Sequence, residues 1–198
     1  MKIAVLGSGN VGTALGDGWS AKGHQVIYGS RSPDKEPGKN RKFASIADAI
    51  AQSEVVVLAV PWDAVEPVLS SNNLSGKLLI DCTNPITPSF ELAVGTTTSA
   101  GETVARLAKG ARVVKAFNTT GFGNMRNPKY GAVNLTMFYA GDDAAAKAVA
   151  NQLINDIGFD PVDAGPLKIA RYLEPLAMLW INLSTTMGRD IALQLLKR

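Results

Sequence analysis

Cysteine and histidine each occur once in this 198-residue chain, as Cys82 and His24. A lone cysteine excludes an internal disulfide and fits a reducing compartment. A lone histidine, in the turn before the second strand pattern, argues against a histidine metal site and leaves a Ser-His-Asp or Cys-His arrangement without its base. Cys82 therefore reads as a small buried hydrophobe, and no metal site is expected. Basic runs are equally scarce. No Lys/Arg run exceeds two residues and the basic residues are not interleaved with aromatics, so the net charge of +3 points to anionic cofactors rather than to a nucleic-acid surface. The most apolar late stretch, residues 176–183, contains Asn182 and is too short to span a bilayer. The opening Met1-Lys2-Ile3 runs straight into a strand pattern, with none of the regions of a secretory leader. A cytoplasmic protein with neither membrane nor nucleic-acid partners is the expectation.

What is present begins with Lys2-Ile3-Ala4-Val5-Leu6-Gly7-Ser8-Gly9-Asn10-Val11-Gly12. An apolar run passing directly into G-x-G-x-x-G and then into a helical pattern reads as the first βαβ unit of a dinucleotide-binding fold. Gly7 allows the tight turn, Gly9 lets a pyrophosphate approach the backbone, and Gly12 lets the helix pack against the sheet. The anion would rest on the free N–H groups of the helix start, with Gly7, Ser8, Gly9, Asn10, Val11 and Gly12 holding it.

The second strand pattern leaves through Ser30-Arg31-Ser32, followed by Lys35, with no carboxylate at the strand end. A free ribose 2′-hydroxyl usually meets an acid there, whereas a 2′-phosphate needs cations and hydroxyl donors. Ser30, Arg31, Ser32 and Lys35 could supply them, which favours NADP(H). The plainer reading leaves Arg31 and Lys35 as solvated loop charges. Asp34 lies beyond the strand, behind Pro33.

With 46% apolar residues the chain can bury one core of ordinary size. Residues 30–42, with Pro33, Pro37 and Gly38, read as a loop, and 43–51 as a short helix. Strands are expected over 55–60 and 77–84, a capped helix from Ser99 to about Gly110, and a fifth strand from 111. A loop follows over 125–131, then a sixth strand over 133–140, a helix over 144–157 capped by Asp142-Asp143, and a last short strand near 159–165. From 167 to 197 the pattern is helical, with Pro175 and Gly188 as kinks or boundaries. This alternation is that of a doubly wound α/β sheet, with a nucleotide-binding domain over 1–165 and a C-terminal helical segment over 166–198. Ala59, Val60, Pro61 and Trp62 leave one strand end and Asn84 another, where a ring could be lined. Trp62 either stacks on that ring or packs at a helix start. Residues 91–98 read as a mobile edge of the site.

Several segments together resemble one family. These are the opening Gly-Ser-Gly-Asn-Val-Gly, Gly29-Ser30-Arg31, Ala59-Val60-Pro61-Trp62, Val114-Lys115-Ala116-Phe117-Asn118-Thr119, Gly141-Asp142-Asp143 and Asp163-Ala164-Gly165-Pro166-Leu167. In order and spacing they resemble the NADPH-dependent coenzyme F420 reductases, whose fold is shared by the cytosolic domain of the six-transmembrane ferric reductases. The resemblance extends to Thr186-Met187-Gly188 and a short helix beyond it. It implies a Rossmann domain with a small helical addition, usually a homodimer. Direct hydride transfer would run between NADPH and a deazaflavin (F420) or a flavin (FMN or FAD). Pro61, Trp62, Asn84, Asn118 and Thr119 would shape the transfer cleft, with Val60, Phe117 and Gly141 beside the cofactor. Placement and exclusion of water matter more to that chemistry than an acid–base pair. One departure is Asn118, where F420 reductases often carry histidine. The Phe-Asn-Thr form is nearer the metalloreductases and keeps open a flavin acceptor serving ferric reduction; a non-catalytic NADP(H) redox sensor is a separate alternative. The apolar late helix, with Leu176, Leu179, Trp180 and Leu183, either closes the cleft or forms a dimer face.

Overall fold

The computed structural model describes residues 1–36 and 40–198. The expected loop residues Pro37 and Gly38 lie outside the described residues. Runs of β-branched and aliphatic residues become largely buried strands, which with the part-exposed edge strand β3 are, in chain order, β1 (Lys2–Leu6), β2 (Gln25–Ser30), β3 (Lys42–Ser45), β4 (Val55–Leu58), β5 (Leu78–Asp81) and β6 (Arg112–Lys115). Between and after them come α1 (Asn10–Ala21), α2 (Ile46–Ala51), α3 (Trp62–Ser70), α4 (Ala100–Leu107) and α5 (Phe122–Arg126). A hairpin, β7 (Lys129–Tyr130) and β8 (Val133–Asn134), precedes β9 (Thr136–Gly141), α6 (Ala144–Ile157), β10 (Asp160–Gly165) and α7 (Ala170–Met187).

The main sheet has eight strands in the order β10-β9-β6-β5-β4-β1-β2-β3. Strands β1 to β6 run parallel, while β9 pairs antiparallel with β6 and parallel with β10, so the sheet is mostly rather than wholly parallel. Alternate residues feed two cores. Ile3, Val5, Val57, Ile80 and Val114 face Trp19, Leu153 and Phe159, whereas Ala4, Leu6, Val56, Leu58 and Leu79 face Leu69, Leu74 and Val104. Helices thus cover both faces, as the doubly wound reading expects. Order reverses at β1, which has β2 on one side and β4 on the other. In open α/β sheets ligands sit in the crevice at such a reversal, beyond the strands' carboxyl ends.

Four elements differ from the sequence reading. Residues 42–45 form β3 on the edge of β2 instead of starting a helix, because the Ser45 hydroxyl caps Asp48 N–H and fixes the helix start after it. The expected loop at 125–131 contains the end of α5 and half of the hairpin, which turns at Gly131 with φ +61°. The strand expected over 133–140 is two strands separated at Leu135. Helix α7 carries Pro175 inside it, stops at Gly188 (φ +80°), and is not continued through residues 189–198. That tail is held by side chains: Trp180 Nε1 and Asn124 Nδ2 both donate to the Ile191 carbonyl, and Leu195 N–H donates to Thr136 Oγ1. Among the described residues no helix is long and apolar enough to cross a membrane.

The caps follow local chemistry. Ser99 and Glu102 cap α4 and Asp143 caps α6 by accepting from Ala146 N–H at 2.7 Å, but Asp142 turns away to accept from Leu167 N–H at 2.9 Å.

Candidate cofactor crevice

The glycine turn between β1 and α1 is made by close approach. Gly7 has φ +109°, and a Cβ there would strike the Ala59 carbonyl oxygen. At Gly12 a Cβ would strike the Gly7 carbonyl oxygen, so the helix could not sit so near the strand. Gly9 is different: its φ is an ordinary −75°, and a Cβ would meet nothing within 4 Å. The space above Gly9 is open at the start of a twelve-residue helix whose first turn has no side-chain cap. Unpaired N–H groups and the positive end of the helix dipole therefore face an opening that a pyrophosphate could enter. Ala59 and Val60 flank Gly7, Ala59 N–H bonding to the Leu6 carbonyl, so the turn lies at the β1/β4 reversal.

At the end of β2, Ser32 N–H donates to Ser30 Oγ at 3.1 Å, and Pro33–Lys35 form a 3₁₀ turn. Arg31, Ser32 and Lys35 are exposed, and neither basic residue has an ion pair among the described residues. The 3₁₀ turn brings back a residue the sequence reading missed. The half-buried Glu36 carboxylate accepts from Ser30 Oγ at 2.7 Å and from Ser8 Oγ at 3.4 Å. The strand end is thus not free of carboxylates, because Glu36 reaches it from six residues on. Beyond the undescribed residues, Arg41 Nε donates to Asp17 at 2.8 Å and its guanidinium lies 5.8 Å from the Tyr28 ring centre. The Arg41 hydrogen bond holds the Asp17 carboxyl below its usual range, against the opposite pull of burial.

The other end of the crevice is built from side chains. Asn84, after β5, donates to the Asn118 carbonyl at 2.8 Å, and Asn118 Nδ2 donates back to Asn84 Oδ1 at 3.2 Å and to the Leu173 carbonyl of α7 at 3.1 Å. Asn118 Oδ1 is buried and has no hydrogen-bond partner among the described residues. Phe117 precedes it with φ +61°, a left-handed conformation that a bulky residue adopts at a cost of roughly 1–2 kcal/mol. Edge-on packing against Trp19 (5.7 Å between ring centres) and Phe159 (6.3 Å) holds it there.

Beneath this pair lies a buried charge knot. Lys115 Nζ reaches Asp81 at 3.0 Å, Glu174 at 3.1 Å and the Thr83 carbonyl at 2.6 Å, with all three charged groups out of solvent. Glu174 also accepts from Ala100 and Gly101 N–H at the start of α4, and Asp81 accepts from Thr83 N–H and Oγ1. Burial acts to lower the lysine, yet the two carboxylates and their hydrogen bonds keep it above its ordinary value, so it stays charged. The knot ties β5, β6, α4 and α7 together one residue from Asn84 and three from Asn118.

Not every expected residue arrives here. Gly141 pairs with Val114, so the antiparallel run of β9 carries it towards the start of β6 and away from Asn118. The Phe117 ring is core, leaving only its backbone near the site. Thr119 is 3% exposed and turns its hydroxyl to Met137 Sδ at 3.9 Å. Trp62, half-buried at the start of α3, packs on the core under that helix, and Pro61 is exposed as its N-cap residue. Burial pushes the Cys82 thiol well up, which suits a packing residue. His24 bonds Asp156 at 2.9 Å and the Met1 amino group at 3.3 Å. In the 91–98 region, Ala93 N–H bonds the Pro85 carbonyl at 2.7 Å and Leu92 bridges to Ile86, folding the loop back after Asn84.

Residues 2–85 match the family of coenzyme F420-dependent NADP oxidoreductases. A crystal structure from Arthrobacter sp. FB24, provisionally named an F420-dependent NADP reductase, superposes with a TM-score of 0.91 at 31% identity, each chain covering 100% of the other. A hypothetical protein of Sinorhizobium meliloti gives a TM-score of 0.81 at 30% identity, over 100% of this chain and 96% of that one. Metalloreductase STEAP3 of Rattus norvegicus is 30% identical over 185 residues, 90% of this chain but 37% of its own length. The chain spans about a third of the length of the curated relatives it matches.

Proposed function

Since the chain belongs to the coenzyme F420-dependent NADP oxidoreductases, we propose that it passes a hydride between NADP(H) and a deazaflavin of the F420 type. The observation that carries this reading is the open space above Gly9 at the uncapped start of α1, set at the sheet's reversal point. When bound, the nicotinamide supplies the hydride. The chain's share is placement and exclusion of water. In this reading residues 7–12 hold the pyrophosphate, Ser30, Arg31, Ser32 and Lys35 hold the 2′-phosphate, and Ala59, Val60 and Pro61 flank the path between them and the ring. Asn84 and Asn118, joined to each other and to the Leu173 carbonyl, fix the shape of the reacting end. Neither the Cys82 thiol nor His24 takes part, and no general acid or base is required for the transfer itself.

A flavin acceptor is the second reading, favoured by Asn118 and by the likeness to a metalloreductase over 90% of the chain. Anaerobic stopped-flow mixing of protein and NADPH with F420, FMN or FAD, following the oxidised chromophore, separates them. Bleaching of F420 alone is the expected result; bleaching of FMN or FAD alone moves the acceptor to a flavin. Tight NADPH binding without bleaching of any of them leaves a redox sensor and ends both readings.

A homodimer formed through the outer face of α7 is part of this proposal. Tyr172, Leu179 and Met187 are 70%, 52% and 65% exposed, with Leu176 and Leu183 half-buried between them. This spacing of three and four makes an uncharged stripe suited to a second copy of itself. Light scattering after gel filtration is expected to give a dimer, and Leu179→Glu a monomer; a monomeric parent chain removes the assignment.

A further inference from the structure

We infer that Glu36 sets the preference between the two nicotinamide cofactors. Its carboxylate occupies the corner that receives the adenosine ribose, where it recognises an unphosphorylated 2′-hydroxyl, and NADPH binds by driving it away. The inference rests on the NADP(H) reading above and deepens it.

Three observations lead there. The Ser30 hydroxyl has one proton and gives it to Glu36 at 2.7 Å, while its oxygen already accepts from Ser32 N–H at 3.1 Å. A phosphate oxygen that takes the Ser30 proton must therefore replace a Glu36 oxygen. Next, the same carboxylate reaches Ser8 in the glycine turn, with its two oxygens at 3.4 and 3.5 Å from Oγ. It therefore bridges the pyrophosphate turn and the end of β2, the span in which the acid of a ribose-binding site stands in this fold. Finally, Arg31 and Lys35 stand exposed beside it without ion pairs among the described residues. The corner thus carries an acceptor for a hydroxyl and cations for a phosphate, and one nucleotide cannot use both.

Glu36 is presented by the 3₁₀ turn, its N–H bonding the Pro33 carbonyl at 3.3 Å. Its half-buried side chain can leave by rotation, with no change in the sheet. Against a phosphate it is a like charge in contact; against a ribose hydroxyl it is a charged acceptor. Losing that charge has opposite signs for the two cofactors.

The test is equilibrium binding of NADPH and of NADH, by nucleotide fluorescence without any acceptor, to the parent chain, to Glu36→Gln and to Arg31→Ala. Glu36→Gln is expected to tighten NADPH and weaken NADH, moving the ratio of dissociation constants towards NADPH by roughly fivefold or more. A ratio that moves less than about threefold, or moves towards NADH, overturns the inference, whether or not both affinities fall together. Arg31→Ala reports on the underlying reading. It is expected to weaken NADPH on the order of tenfold while sparing NADH. Equal losses with Arg31→Ala, or a parent chain that binds neither nucleotide, defeat the 2′-phosphate site itself. A selective loss there beside an unmoved Glu36→Gln ratio defeats only the role given to Glu36.

Discussion

At the β1 end of the crevice, three glycines and an uncapped helix start, all within residues 7–12, form a cradle from main chain alone. At the β5–β6 end, the Asn84–Asn118 pair stands on Asp81, Lys115 and Glu174, partners 34 and 59 residues apart, brought together by β5, β6, α4 and α7. The first end is a local solution, in which the residues proposed to meet the pyrophosphate are also those that make the turn. The second is a tertiary one. The side chains at this end are neutral carboxamides, and the charged groups beneath them are out of solvent. Within the first end Gly9 can therefore be altered with little effect on folding, whereas Gly7 and Gly12 cannot, and the second end is tied to the stability of the whole sheet.

The largest expected effect tests that coupling. Lys115→Met leaves Asp81 and Glu174 buried without their cation and is expected to cost about 3–5 kcal/mol in urea unfolding of the ligand-free protein. A loss under about 1 kcal/mol would break the comparison, since the carboxamide end would then stand without the knot. Gly12→Ala is expected to cost about 1–3 kcal/mol, because the new Cβ meets the Gly7 carbonyl and the helix must move off the strand. Gly9→Ala sharpens the contrast within the same turn. Its Cβ enters open space at ordinary φ, so unfolding should shift by less than about 1 kcal/mol. NADPH titration should nevertheless show weakening on the order of tenfold, since the methyl occupies the approach of the pyrophosphate. If Gly9→Ala binds NADPH like the parent chain, the open space is not the cradle.

Legibility in the sequence followed the same division. The glycine turn was readable because each requirement falls on a residue within six positions of the next. The buried β4 and the capped α4 and α6 were readable because β-branched runs and cap residues act locally. Glu36 was not, since its arrival depends on how far the 3₁₀ turn after Ser32 folds back. Lys115 sits in a pattern that reads equally well as a strand with a solvated edge charge, and only the placement of α7 supplies Glu174. Gly141 was assigned to the wrong end because composition does not reveal that β9 runs against β6. The last ten residues keep a helical periodicity, but Trp180 and Asn124 take the Ile191 carbonyl that a helix would have used.

Glu174 also bears on how far this architecture can be rearranged. The helix that brings Leu173 to Asn118 carries, in the next position, the carboxylate that completes the Lys115 knot and closes the start of α4. Grafting a different terminal helix to accommodate another acceptor would thus alter the folding of the nucleotide half at the same time. The end of the crevice closed by α7 is not an interchangeable module, and its redesign has to proceed around a fixed acidic residue at position 174.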